Sequence, residues 1–432
     1  MLKKIGFIAL LCAVLLLSGC FLEPAESLYA IPARSEDYYN LQAAIESAMP
    51  EGAAYCAPTA GENQQPVQMA DIDGDQMDEA IVYWKSDGDL PLTVSVFDKR
   101  GSQYELIAKA DGAGSAFGHV QYAEIDGNPG SEIVVGRQIS DRVTQTLYVY
   151  SFENDALTEI LNANYAECIT TDLDANGLSD LVLLQASDAQ NGVAECYRWT
   201  DGQLTRDREA RMSAPVSAVR RMIAGEVWED SPAVFVASEY GEGMIITDIF
   251  GMRGGVFTNL TLSDETDTAV STVRDYYVYS CDIDEDGLIE LPHLIDLPPI
   301  PDEETSANQT VIRWYNLQPD GAEREKWLTY HNYSAGWYLK LPDRLADGLS
   351  VKYTTVFETS RGYTFVRKGT ELFTLTAVSG ENAANTVTGW TVLAAKGDTV
   401  YAVEIKNRAL SEEETGDLFH FIQVDWKTGE TD

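Results

Sequence analysis

Apolar and polar positions alternate through most of this chain, in short runs separated by Gly-, Asp- and Asn-rich turns. That period belongs to β-strands with distinct faces. Between residues 67 and 330 the runs fall into groups of four. The first group is 67–72, 79–84, 92–97 and 104–108, and the second 120–125, 132–137, 146–152 and 157–163. The third is 168–173, 180–185, 194–199 and 203–208, and the fourth 219–224, 233–238, 244–250 and 256–262. The fifth is 276–283, 289–297, 311–317 and 325–330, interrupted by a Pro- and Glu-rich loop over 298–308. Four strands per unit of roughly 50 residues is the signature of a propeller blade, a sheet that buries both faces only by packing against copies of itself. The pattern predicts a mainly β fold, a β-propeller of about five four-stranded blades over 63–331. A helix is predicted over 35–49, with Ser35 as N-cap and Tyr39, Leu41, Ala44, Ile45 and Ala48 on its apolar face. After 332 the period is lost. Alternating runs at 338–341, 351–358, 363–368, 372–378, 390–394 and 400–405 precede a helix over 411–424, with Ser411 and Glu414 forming a capping box. They predict a separate small α+β domain over 332–432.

One acidic loop recurs after the first strand of four groups: DIDGDQMDEAIV from Asp71, EIDGNPGSEIVV from Glu124, DLDANGLSDLVL from Asp172 and DIDEDGLIELPH from Asp282. The starts are 53, 48 and 110 residues apart, and 110 is about twice 53. A further copy is therefore expected near 225. GEVWEDSPAVFV from Gly225 keeps the strand ending, Ala233 to Val236, and has lost the acidic positions. Oxygen-bearing side chains at loop positions 1, 3, 5 and 9 converge when such a loop curls, and six to eight oxygens are what Ca²⁺ takes. Glycine at position 4 or 6 permits the positive φ that the curl demands. The first loop offers Asp71, Asp73, Asp75, Glu79 and the carbonyl of Met77; the second offers Glu124, Asp126, Asn128 and Glu132. The third offers Asp172, Asp174, Asn176 and Asp180, and the fourth Asp282, Asp284, Asp286 and Glu290. An EF-hand needs Glu at position 12 and helical flanks. Position 12 is Val82, Val135, Leu183 and His293 here, and the flanks read as strands, so the EF-hand is excluded.

Over about 65–330 these loops resemble the FG-GAP/VCBS family, the calcium-binding repeats of integrin-α-type propellers. The resemblance implies Ca²⁺ at up to four sites, serving as structural staples. Glu124, Pro129 and Gln76 depart from the family's pattern. The segment GWYLKLPDRL weakly resembles the start of Mog1/PsbP-like domains.

The chain has 432 residues, with 69 Asp and Glu against 30 Lys and Arg, a formal charge of −39. Such a surface repels nucleic acid and attracts divalent cations. At the start, Lys3 and Lys4 precede an apolar run over 5–17 too short to span a bilayer. Leu17-Ser18-Gly19-Cys20 resembles the lipobox of bacterial lipoproteins. That resemblance implies a signal peptide over 1–19, lipidation of Cys20, a tether and short helix over 20–62, and attachment to the extracytoplasmic face of the cell membrane. Of the remaining cysteines, Cys56, Cys168, Cys196 and Cys281, none has zinc-site spacing. A Cys168–Cys196 bridge is open from sequence. Only four histidines occur, and no HExxH, GxSxG or Walker loop. On that ground the expectation is no catalytic site: a non-catalytic binding or structural module with an unknown protein or glycan ligand. The alternatives are an extracytoplasmic hydrolase acting on polysaccharide, and a sensor or assembly factor of a membrane complex.

Overall fold

The computed structural model describes residues 35–139, 145–187, 190–275, 278–300, 310–357, 360–407 and 411–422. The expected signal peptide, the expected lipidation site Cys20 and the expected tether over 20–34 lie outside the described residues. Among those described, no helix is long and apolar enough to cross a membrane.

The chain is mainly β, with six antiparallel sheets among the described residues. The second, third and fourth are four-stranded meanders in chain order: Ala116–Ala123, Glu132–Gln138, Gln145–Glu153 and Ala156–Tyr165; Glu167–Thr171, Asp180–Ala186, Gly192–Thr200 and Gln203–Arg211; Val219–Trp228, Ser231–Tyr240, Met244–Arg253 and Val256–Asn259. In the first sheet, Glu79–Lys85, Leu92–Arg100 and Gln103–Gly112 follow one another, and both Val67–Ala70 and Ala54–Tyr55 pair with Glu79–Lys85. Second strands such as Glu79–Lys85 and Glu132–Gln138 are buried almost throughout, as strands covered on both faces must be.

Register repeats with the sequence. The residue at loop position 10 always faces an aromatic on the next strand: Ala80 opposite Phe97, Ile133 opposite Tyr150, Leu181 opposite Tyr197, Val234 opposite Phe250, and Leu291 opposite Tyr315. Packing repeats too. One apolar cluster joins the first and second sheets (Ile81, Val94, Phe117, Val135), another the second and third (Val134, Val149, Leu183, Leu204). A third joins the third and fourth (Val182, Cys196, Val236, Phe250), and a fourth the fourth and fifth (Phe235, Ile249, Leu291, Tyr315). Each such side chain contributes about 1.5–3 kcal/mol on full burial. The free face of the first sheet, with Ala80, Val82, Trp84 and Phe97, is covered by Ile45, Leu41 and Ala44 of the helix Glu36–Ala48. Ser35 caps that helix, its Oγ accepting from Tyr38 N–H at 3.2 Å. Tyr39, expected on the apolar face, is 58% exposed.

Three expectations are corrected. The unit at Gly225 has no loop: its strand runs on to Trp228 and turns through Glu229 and Asp230, with Asp230 at φ 54°, directly into Ser231–Tyr240. Without acidic positions there is nothing to hold a wide curl open, and a tight hairpin forms instead. Among the described residues the fifth sheet has no full first strand, and an isolated bridge joins Cys281 to Glu290. It extends instead as Leu291–Asp296, Thr310–Leu317, Glu323–Asn332, Trp337–Leu341 and Phe419–Phe421. The expected division at 331/332 therefore falls inside this sheet, because Trp337, Leu339 and Leu341 alternate as a strand that pairs straight back on Leu328–Asn332. Finally, the terminal helix spans only Glu412–Leu418. Its capping box forms, but Phe419 and Phe421 leave as a strand beside Trp337 and Leu339. The sixth sheet (Leu349–Val356, Ser360–Arg367, Thr370–Ser379, Thr399–Ile405, Thr391–Lys396) packs Phe365, Phe373 and Leu375 against Tyr330, Trp337 and Leu339 of the fifth. Short helices Asp343–Ala346 and Ala383–Thr386 complete this region.

Candidate metal centres

The four acidic loops share a backbone design. The position-9 carboxylate folds back to accept the position-2 N–H: Glu79 from Ile72 at 3.0 Å, Glu132 from Ile125 at 2.7 Å, Asp180 from Leu173 at 3.1 Å and Glu290 from Ile283 at 3.0 Å. In three loops the position-1 aspartate accepts two further N–H groups of its own curl. Asp71 takes those of Gly74 and Gln76, Asp172 those of Asn176 and Gly177, and Asp282 those of Asp286 and Gly287. Asp75, Asn176 and Asp286 at position 5 accept from Met77, Leu178 and Leu288. The curl puts Gln76, Ala175 and Glu285 at φ 69°, 56° and 60°, where glycine is the cheaper residue.

Three clusters result. Carboxylate oxygens of Asp71, Asp73 and Glu79 lie within 4.8 Å of one another, as do those of Asp172, Asp174 and Asp180, and those of Asp282, Asp284 and Glu290. Each cluster could hold a metal ion, and an all-oxygen donor set suits Ca²⁺. A bound ion would supply the positive charge that offsets the gathered carboxylates.

The clusters differ in how that charge is met without an ion. At the first loop no ion pair is made among the described residues; the carboxylates have only backbone donors, and Asp71 is half-buried and Asp73 and Asp75 exposed beside a buried Glu79. At the third unit Arg198, from the next strand but one of the same sheet, pairs with Asp174 and lies 3.3 Å from Asp180. At the fifth unit Lys326 pairs with Asp286 and lies 3.3 Å from Asp284, whose other partner is Trp327 Nε1 at 2.7 Å. Even so, Asp284 Oδ1 is buried without a hydrogen-bond partner, an oxygen that an ion would satisfy.

The second loop is not a cluster. Glu124 is exposed, and the remaining groups bond among themselves: Asp126 Oδ2 accepts from Ser151 Oγ at 2.8 Å and from Asn128 Nδ2 at 3.1 Å. Asn128 also donates to Glu153 at 3.0 Å. Pro129 sits where Gly74 of the first loop leaves room; a Cβ on Gly74 would meet Pro129 Cβ at 2.3 Å. Loops of adjacent sheets are thus in contact, and they are also hydrogen-bonded. Ser131 N–H donates to Asp71 O at 3.1 Å and Ser179 N–H to Glu124 O at 2.6 Å, while Ile289 N–H of the last loop donates to Glu226 O of the strand Val219–Trp228 at 2.8 Å.

Burial, reinforced by neighbouring carboxylates, pushes Glu79, Glu132 and Glu290 up to about 7, and Asp180 up to about 6. The Lys326 ammonium instead holds Asp286 below the ordinary range. Sequence reading missed Arg198, Lys326 and Trp327. Cys56, Cys168, Cys196 and Cys281 are free thiols, so the Cys168–Cys196 bridge is not formed.

No family model matches the chain, and no curated protein matches it. Among solved structures it is similar to the exotype rhamnogalacturonan lyase YesX, with TM-score 0.32 and 12% identity over 82% of this chain and 63% of that one. It is also similar to rhamnogalacturonan lyase PL11 from Bacillus licheniformis, with TM-score 0.28 and 12% identity over 74% of this chain and 71% of that one. The chain spans 63% of the length of YesX. Against the expectation that the chain is not an enzyme, both similar structures are rhamnogalacturonan lyases. The physical fault in that expectation is its reliance on missing histidines and nucleophile motifs.

Proposed function

We propose that this is a lipid-anchored protein of the extracytoplasmic face, a calcium-stapled β-propeller akin to the FG-GAP/VCBS repeat proteins, that acts on polysaccharide. The observation that carries the reading is the first acidic loop. Asp71, Asp73 and Glu79 are brought within 4.8 Å of one another with no cation of the protein's own among the described residues. Successive sheets burying both faces against their neighbours, with one aromatic register repeated five times, support a blade array. The loops tie those sheets edge to edge, so an ion held there would brace the array and any site it carries.

The test is a depolymerisation assay on the full chain with acidic and neutral polysaccharides, scoring new reducing ends and unsaturated products, with Ca²⁺ and with EDTA. Cleavage in Ca²⁺ that fades in EDTA is the expected result. No cleavage and no binding of any polysaccharide in Ca²⁺ would remove the polysaccharide reading. Fractionation with the membrane, lost on Cys20→Ser, is expected for the anchor.

A further inference from the structure

A cavity of about 240 Å³ lies between the fourth and fifth sheets and the Phe419–Phe421 strand. Its wall includes a column of stacked rings. His331 lies on Tyr338 with centroids 4.9 Å apart and planes 15° apart, and Tyr338 lies on His420 at 5.0 Å and 21°. Trp314 and Tyr279 line it further, and Arg221 enters from the fourth sheet. Asp282 and Glu285 of the acidic loop stand at its edge.

Two ring nitrogens there have no protein partner: His331 Nδ1 and His420 Nε2. His331 is 7% exposed, and burial holds it neutral, with its pKa lowered to about 3. Its Nε2 is 2.9 Å from Thr329 Oγ1, which already accepts from Trp314 Nε1 at 2.8 Å. The hydroxyl's own proton has two outlets, His331 Nε2 at 2.9 Å and Ile312 O at 3.5 Å. In either tautomer Nδ1 is a buried polar atom with nothing to bond, which a native site does not leave without cause.

Arg221 is the second anomaly. It donates from Nη1 to Ser280 O at 3.0 Å and lies 5.8 Å over the Tyr279 ring. In a chain with 69 carboxylate side chains it has no ion-pair partner among the described residues. A half-buried guanidinium that makes no ion pair with the protein's own carboxylates is suited to one brought by a ligand.

We propose that this cavity binds one carboxylate-bearing sugar ring: Arg221 meets the carboxylate, His331 Nδ1 and His420 Nε2 meet ring hydroxyls, and the stacked aromatic wall meets the sugar face. The volume is below the roughly 300–1,000 Å³ of sites for drug-sized ligands and suits a single ring. The inference rests on the polysaccharide reading above and names the residue class recognised.

Calorimetric titration of the full chain in Ca²⁺ with D-glucuronate and with D-glucose tests it, alongside binding of hyaluronan and dextran. Glucuronate should bind at least tenfold more tightly than glucose. Arg221→Gln should erase that preference with an unchanged melting temperature, and Arg221→Lys should retain part of it. Equal binding of glucuronate by the wild type and Arg221→Gln, or no binding of glucuronate at all, would overturn the proposal. Hyaluronan or dextran bound equally by both proteins would leave the polysaccharide reading standing and remove this cavity from it. Glucuronate bound in the expected way without either polymer would do the reverse.

Discussion

At the scale of single residues, the acidic loops combine what the sequence spells out with what it hides. Positions 1, 3 and 9 meet as the D-x-D spacing requires, because a curl of this length brings alternate side chains to one centre. The cations opposite them were not legible, since Arg198 reaches Asp174 and Asp180 only through strand register, and Lys326 reaches Asp286 from 40 residues away. Departures from glycine do carry a signal. Gln76 stands at φ 69° in the first loop, so Gln76→Gly should raise stability by about 0.5–1 kcal/mol, net of the glycine's greater freedom when unfolded. Urea denaturation of the Ca²⁺-loaded protein checks this, and a loss would mean that the glutamine side chain contributes more than its backbone costs. The position-9 carboxyls set a pH dependence. Glu79, Glu132 and Glu290 ionise at about 7 in the folded chain and near 4.5 when free. Between those values the folded chain keeps protons that the unfolded chain releases, so their stabilising effect is complete below about 4.5 and is lost as pH rises through 7. Melting in EDTA should therefore fall by several degrees from pH 5 to pH 8, and excess Ca²⁺, which favours the ionised form, should flatten that fall. A rise with pH in EDTA would contradict the assignment.

At the scale of elements, hydrophobic patterning places the strands of the first four sheets within a few residues, because the inner strands are covered on both faces and read as unbroken apolar runs. The repeated aromatic is legible once register is known: Phe97, Tyr150, Tyr197 and Phe250 follow loop position 10 by 16 or 17 residues. Less legible was the last helix. A capping box fixes where Glu412–Leu418 begins, but its end depends on Phe419 and Phe421 finding Trp337 and Leu339, a contact across some 80 residues. Within the third sheet, Arg198 takes the place that a second cation would compete for. Replacing it by Gln should leave Asp172, Asp174 and Asp180 without internal compensation. The gain in melting temperature on adding Ca²⁺ should then exceed that of the wild type by about 2–4 °C, roughly 1 kcal/mol for a domain of 150–250 residues. Differential scanning calorimetry reads this directly; an unchanged gain would mean that the third loop takes no ion.

At the scale of the whole molecule, five sheets stack in chain order and a helix, rather than another sheet, covers the free face of the first. The sequence period foretold the stack but not its ends, since Glu36–Ala48 and Trp337–Leu341 carry no repeat and are placed by tertiary burial alone. The loops touch between neighbouring sheets through Gly74 and Pro129 and through the Ser131–Asp71 and Ser179–Glu124 backbone bonds. Charge at one loop is therefore felt along the edge of the array, in a chain whose net charge of −39 already favours expansion. Ions bound only by the folded state would stabilise it by mass action. The most direct measurement is the thermal melting of the full chain, first stripped with EDTA and then titrated with Ca²⁺. A melting temperature that rises by several degrees and saturates with Ca²⁺ is the predicted result; a melting temperature that is the same in EDTA and in excess Ca²⁺ would contradict the calcium-stapled array.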